Sequence, residues 1–144
     1  MTGPGTERAQ RTGDSDNVRL VKRLYEAINR RDPEAGFDLV DPEFEWRVPE
    51  WAILGGTYRG REEVERAINA QLDVFDQFQI VPEEFFEGGE KVVVFVRQRA
   101  RGGASGAEVE IRVGHLWTIQ SGKAASLQIF PERRKALEAA GLGE

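Results

Sequence analysis

His115 is the only histidine in this 144-residue chain, and it stands in a run where Val109, Ile111, Val113, His115, Trp117 and Ile119 occupy every second position. A β-strand sends alternate side chains to one face, so this spacing puts an imidazole into an otherwise apolar layer. A buried polar group without a partner costs about 1–3 kcal/mol, so the ring is expected to find a partner or to line a wet cavity. In a cavity it can act as acid, base or hydrogen-bond donor; the alternative is a core histidine satisfied by a carbonyl or carboxylate. Tyr25 falls on the apolar stripe of the first helix, from where its hydroxyl can reach the same interior. Phe44, Trp46 and Val48 alternate with Glu45, Arg47 and Pro49, and Trp51 and Tyr58 follow in and before a glycine-rich segment. Aromatic rings with a polar edge can wall a ligand site and orient one hydrogen bond, or simply fill a core. Glu50 follows Pro49 and is placed to hang over the mouth of such a site, as Glu132 is after the last strand. A carboxylate base needs burial or a charged neighbour to tune it. The candidates for chemistry are therefore His115, Tyr25 and Glu50, and those for ligand contact are Trp46, Trp51, Tyr58, Trp117, Phe44 and Val113.

Other chemistries are excluded by composition. There is no cysteine, which removes disulfides, thiolate nucleophiles and thiolate metal sites, and a single histidine cannot build a multi-histidine zinc centre. Gly55-Gly56-Thr57-Tyr58-Arg59-Gly60 lacks the Lys-Ser/Thr end of a phosphate loop and the dinucleotide glycine spacing. No Gly-x-Ser-x-Gly elbow occurs. No metal or cofactor is expected. A net charge of −5 argues against a general nucleic-acid binder. Arg97, Arg99, Arg101 and Arg112 are not interleaved with aromatics, and cross-strand ion pairs with Glu108 and Glu110 on an outer sheet face explain them better. No apolar run approaches the ~20 residues of a membrane helix, and residues 1–12 lack the apolar stretch of a secretory signal. The expected location is the cytoplasm, with neither membrane nor nucleic acid as partner.

The elements that must position these residues can be read in order. Residues 1–15 are expected to be a flexible tail and 16–142 a single domain, in line with a usual size of ~100–150 residues. Asp14, Ser15 and Asp16 offer caps to an amphipathic helix carrying Val18, Val21, Leu24, Tyr25 and Ile28 and ending near Arg31. Asp32-Pro33 starts a short helix that takes in Phe37, Leu39 and Val40, stopped by Asp41-Pro42. A strand carries Phe44 to Val48, a short extended piece carries Tyr58, and Arg61 to Asp76 forms a third helix with Val64, Ala67, Ile68, Leu72 and Phe75 on its stripe. Strands follow at Phe78–Glu87, irregular at Pro82, at Lys91–Arg101, at Val109–Ile119 and at Ala125–Ile129. Pro131 opens a last helix to Ala140, stopped by Gly141. Helices first and a strand meander after them predict an α+β fold, a curved antiparallel sheet with its helices on one face, forming a cone around an apolar pocket.

Several of these segments resemble one known family. Leu24-Tyr25-Glu26-Ala27-Ile28-Asn29-Arg30-Arg31-Asp32 and Asp41-Pro42-Glu43-Phe44-Glu45-Trp46 are similar to the start of SnoaL-like proteins. Gly56-Thr57-Tyr58-Arg59-Gly60-Arg61-Glu62-Glu63-Val64, His115-Leu116-Trp117-Thr118-Ile119 and Ala136-Leu137-Glu138-Ala139-Ala140-Gly141-Leu142 are similar to their later segments. The resemblance implies the cone-shaped nuclear transport factor 2-like (cystatin-like) fold. It also implies a homodimer and cofactor-free chemistry of the isomerase, cyclase or hydrolase kind on a small, mostly apolar molecule. Carried over by position, the base of ketosteroid isomerase falls on Trp46 or Val48 and its oxyanion-side acid on His115, while its helix-one Tyr falls one position from Tyr25. The Asp-Arg-Asp set of limonene epoxide hydrolase meets Arg97, Gln98 and Arg99, with Glu132 close to its second Asp. A non-catalytic ligand-binding or dimerisation module of the same fold is the alternative.

Overall fold

The structure, a computed structural model, describes residues 14–50, 55–102 and 106–142. The expected tail therefore lies outside them up to residue 13, as does Trp51. Helix α1 runs Asp16–Arg30, α2 Pro33–Phe37 and α3 Gly60–Val74. The strands are β1 (Val40–Val48), β2 (Gly56–Arg59), β3 (Phe75–Gly88), β4 (Lys91–Gly102), β5 (Glu108–Gln120) and β6 (Lys123–Phe130), and α4 (Arg133–Ala139) closes the order. All six strands form one curved, unclosed sheet in the order β2-β1-β6-β5-β4-β3.

Local chemistry explains most boundaries. Ser15 caps α1, its hydroxyl accepting from the Val18 amide at 3.1 Å, and Arg31 takes a left-handed conformation (φ 57°) that ends it. Asp32 caps α2 through the Ala35 amide, with Pro33 in the first turn. The irregularity expected at Pro82 is a register shift of β3 against β4 between Pro82 and Glu84.

Four expectations are corrected. Leu39 and Val40 are not helical: the Ala124 amide bonds the Leu39 carbonyl at 3.0 Å and Val40 pairs with Ala124, so β1 begins where β6 captures the chain. Phe75 opens β3 rather than ending α3, because it pairs with Gly102 at the far end of β4. The sheet is mixed, since β1 lies parallel to β6 while its other pairings are antiparallel. The helices do not share a face: α4 packs on the outer side of the sheet.

Two cores result. On the inner face, Val21, Leu24 and Tyr25 of α1 and Val64 of α3 pack with Phe44, Val92, Val94, Val96, Val113, Trp117, Ile119 and Leu127. On the outer face, Ala136 of α4 packs with Val93 and Leu116, with Phe86, Phe95 and Phe130 around them. Gly114 allows that contact, because a Cβ there would stand 2.8 Å from the Ala136 methyl. Val109 and Ile111 lie on the inner face by register, opposite Ala100 and Gln98, yet are 50% and 49% exposed. The alternation of β5 holds, but this end of the strand is left uncovered.

Candidate functional site

His115 sits midway along β5, paired with Val94 on β4 and Ile129 on β6, and is 1% exposed. Trp117, two residues on, shares its face, and Tyr25 arrives from α1. The indole Nε1–H of Trp117 donates to the Tyr25 hydroxyl oxygen at 2.9 Å, and that hydroxyl lies 2.8 Å from His115 Nδ1. The Tyr25 ring stacks on the imidazole (centroids 5.8 Å apart, planes 17° apart) and meets the Trp117 indole edge-on at 5.7 Å. Phe44 of β1 closes over Trp117 at 6.3 Å.

The donors and acceptors of this chain can be assigned. An indole N–H only donates, so the Tyr25 oxygen accepts from Trp117. The tyrosine proton is then free to donate to Nδ1, which satisfies both partners. The imidazole proton is left on Nε2, and Nε2 is buried with no hydrogen-bond partner among the described residues. The opposite tautomer would strand the tyrosine proton as well as Nε2. Burial pushes the His115 pKa down to about 3, so the ring is neutral at pH 7. Burial also pushes the Tyr25 hydroxyl well above its usual range, against the opposing pull of the Trp117 hydrogen bond. The site therefore holds a neutral imidazole with its basic nitrogen occupied and an N–H to give.

Of the other expected residues, Phe44 and Val113 are buried on the inner face. Trp46 and Tyr58 are half-buried and pair across β1 and β2, with ring centroids 5.7 Å apart and planes tilted by 41°. Glu50 is exposed in the turn after β1. Glu132 borders an open outer depression of about 630 Å³ with Phe130, Pro131 and Lys135. Three of the four arginines do form outer-face ion pairs: Arg99 with Glu110 at 3.8 Å, Arg101 with Glu108 at 3.3 Å and Arg97 with Glu110 at 4.0 Å, while Arg112 lies opposite Arg97. Sequence reasoning missed that Arg133 of α4 reaches Glu83 in the β3 bulge and donates to the Val96 carbonyl at 3.1 Å. It also missed that Trp46 Nε1 is, like His115 Nε2, buried without a hydrogen-bond partner among the described residues. A tryptophan on the inner face was the available signal; its lack of an acceptor is a property of the packing. Among the described residues no group of three His, Asp or Glu side chains could hold a metal ion.

Solved structures share this architecture. TerC, co-crystallised with polyporic acid, is 28% identical with a TM-score of 0.75 over 81% of this chain and 91% of that one. An NTF2-like protein of unknown function from Burkholderia pseudomallei is 26% identical, TM-score 0.76, over 87% of this chain and 97% of that one. A protein from Jannaschia sp. CCS1 assigned as a SnoaL-like polyketide cyclase is 19% identical, TM-score 0.73, over 85% and 90%, and shows the fold. No curated protein matches the chain in sequence. Residues 21–127, spanning Val21 in α1 to Leu127 in β6, match the model of the SnoaL-like domain, and the chain belongs to the SnoaL-like family of the nuclear transport factor 2-like superfamily.

Proposed function

We propose that the chain binds a small, mostly apolar molecule on the inner face of its sheet, with His115 Nε2–H donating to an acceptor oxygen of that molecule. The observation that carries this is the buried Nε2–H, left without a partner among the described residues by a hydrogen-bond chain that satisfies every other side-chain polar atom of Tyr25, His115 and Trp117. Phe44, Trp46, Val113 and Trp117 supply apolar walls, with Tyr58 beside Trp46. The co-crystal of TerC with polyporic acid and the assignment of the Jannaschia relative support a small-molecule reading.

If the bound molecule reacts, a neutral imidazole donor suits cofactor-free proton transfer next to a carbonyl. The Nε2–H stabilises negative charge developing on the oxygen, and Tyr25 holds the tautomer. Glu50, in the turn after β1, is then the carboxylate that takes the proton. A non-catalytic binding module is the second reading, favoured by the closure of the site and the occupied Nδ1. In either reading the protein works as a cytoplasmic homodimer joined through its charged outer sheet face.

Because the chain has one histidine, its Nε2 gives one resonance in a ¹⁵N NMR spectrum. That resonance should move when ring ketones are added and stay in place with nucleotides. His115→Ala should weaken ketone binding more than it lowers stability. If only phosphorylated compounds stabilise the fold in a thermal-shift panel, the reading is wrong.

A further inference from the structure

We infer that Trp46 is a second donor to the same ligand, so that the site selects molecules carrying two acceptor atoms at opposite ends of a ring system. The inference rests on the His115 reading and adds a specificity-determining residue to it. Four side-chain nitrogens are buried without a hydrogen-bond partner among the described residues: Trp46 Nε1, His115 Nε2, Arg97 Nε and Arg133 Nε. The two arginines belong to guanidinium groups that pair with Glu83 on the outer face. The remaining two share the inner face, and both can only donate: an indole by its chemistry, the imidazole because Tyr25 holds its other nitrogen.

Their placement is set by register. Trp46 pairs with Leu127, which pairs with Trp117, while His115 pairs with Ile129 one inward step further along β6. The two side chains therefore leave the sheet two strands apart, about 10 Å across, and two residues apart, about 7 Å along it. Both lie on the face that packs against the α1 core. Two neighbouring oxygens on one carbon could not meet both donors, whereas oxygens across a ring could. The tilted contact with the Tyr58 ring, centroids 5.7 Å apart, packs Trp46 on this face. A carbonyl or ether oxygen satisfies either donor outright. A hydroxyl brings a hydrogen of its own, for which these two groups offer no acceptor.

The test uses the full ¹⁵N-labelled chain and three probes: 2,3-dimethyl-1,4-naphthoquinone (two carbonyls across a ring), α-tetralone (one) and naphthalene (none). The quinone should bind about tenfold more tightly than α-tetralone, a factor corresponding to ~1.4 kcal/mol. It should move both the His115 Nε2 and the Trp46 indole resonances. Trp46→Phe, which removes the N–H and keeps an aromatic ring, should abolish the tenfold preference while the His115 response persists. The wild-type indole shift stands even if that variant folds poorly. If the quinone moves His115 but not Trp46, or Trp46→Phe keeps the preference, the second donor is refuted and the His115 reading survives. If no probe moves His115, that reading fails and the second donor falls with it.

Discussion

Tyr25 decides what His115 can be. Its hydroxyl accepts from one ring and donates to the other, so Tyr25→Phe would leave the Trp117 N–H and His115 Nδ1 both buried and unpaired. At about 1–3 kcal/mol for each of the two stranded groups, Tyr25→Phe should cost roughly 2–6 kcal/mol in urea unfolding, far more than losing one exposed hydroxyl. His115 itself should give the protein a pH-dependent stability. Its folded pKa of about 3 lies below the 6.5 of an exposed imidazole, so between those values the unfolded chain binds the proton and the folded chain does not. The contribution is fully present above pH 6.5 and is lost as pH falls toward 3, with a slope approaching ~1.4 kcal/mol per pH unit. His115→Phe should remove that part of the slope while keeping most of the volume, although it strands the Tyr25 proton. The same variant should fail to bind ketones. Comparing its urea midpoints with wild type from pH 4 to 8 checks the first point, and NMR or fluorescence titration the second.

At the scale of elements, the outer helix depends on one missing methyl group. Gly114 of β5 faces Ala136 and the backbone at Arg133, and a Cβ there would lie 2.8 Å from the Ala136 methyl and 3.2 Å from Arg133 Cα. A helix backbone cannot yield as a side-chain tip does, so Gly114→Ala should push α4 off the sheet at a cost of about 1–3 kcal/mol. The Arg133 contacts to Glu83 and the Val96 carbonyl should loosen with it. Ala136→Gly should recover part of that loss in the Gly114→Ala background, though alone it should cost up to ~1 kcal/mol as a helical glycine. A double-mutant cycle in urea measures that coupling, and additive costs would show that the two positions do not press on each other.

For the whole molecule, the outer face of β4 and β5 is a charged ladder in which Glu110 pairs with Arg99 at 3.8 Å and Arg97 at 4.0 Å. Alternating signs let such a face meet its own copy around a two-fold axis. Light scattering should return twice 16.2 kDa, with an interface burying at least ~1,000 Å² in total. Glu110→Lys, which sets a third positive charge beside the two arginines, should shift the mass toward the monomer. A monomer mass for the wild-type chain at working concentration would refute the dimer.

Much of this was legible in the chain itself, because it depends on residues a few positions apart. The alternation around His115 placed its ring with Trp117 on the inner face, Ser15 and Asp32 marked helix starts, Pro82 marked the bulge, and the arginine strip read as outer-face ion pairs. Each is a matter of period, capping or dihedral restriction. The tertiary structure decided what distant partners impose. Val40 became a strand residue because β6 binds it; β1 ran parallel because its partner is the last strand; α4 took the outer face because Gly114 admits Ala136. Tyr25 meets His115 across 90 residues, and no local pattern encodes that contact. Yet it is the contact that occupies Nδ1, leaves the proton on Nε2 and makes the one histidine a donor. Which nitrogens go unpaired among the described residues is a property of the packed interior, set by which distant side chains meet there.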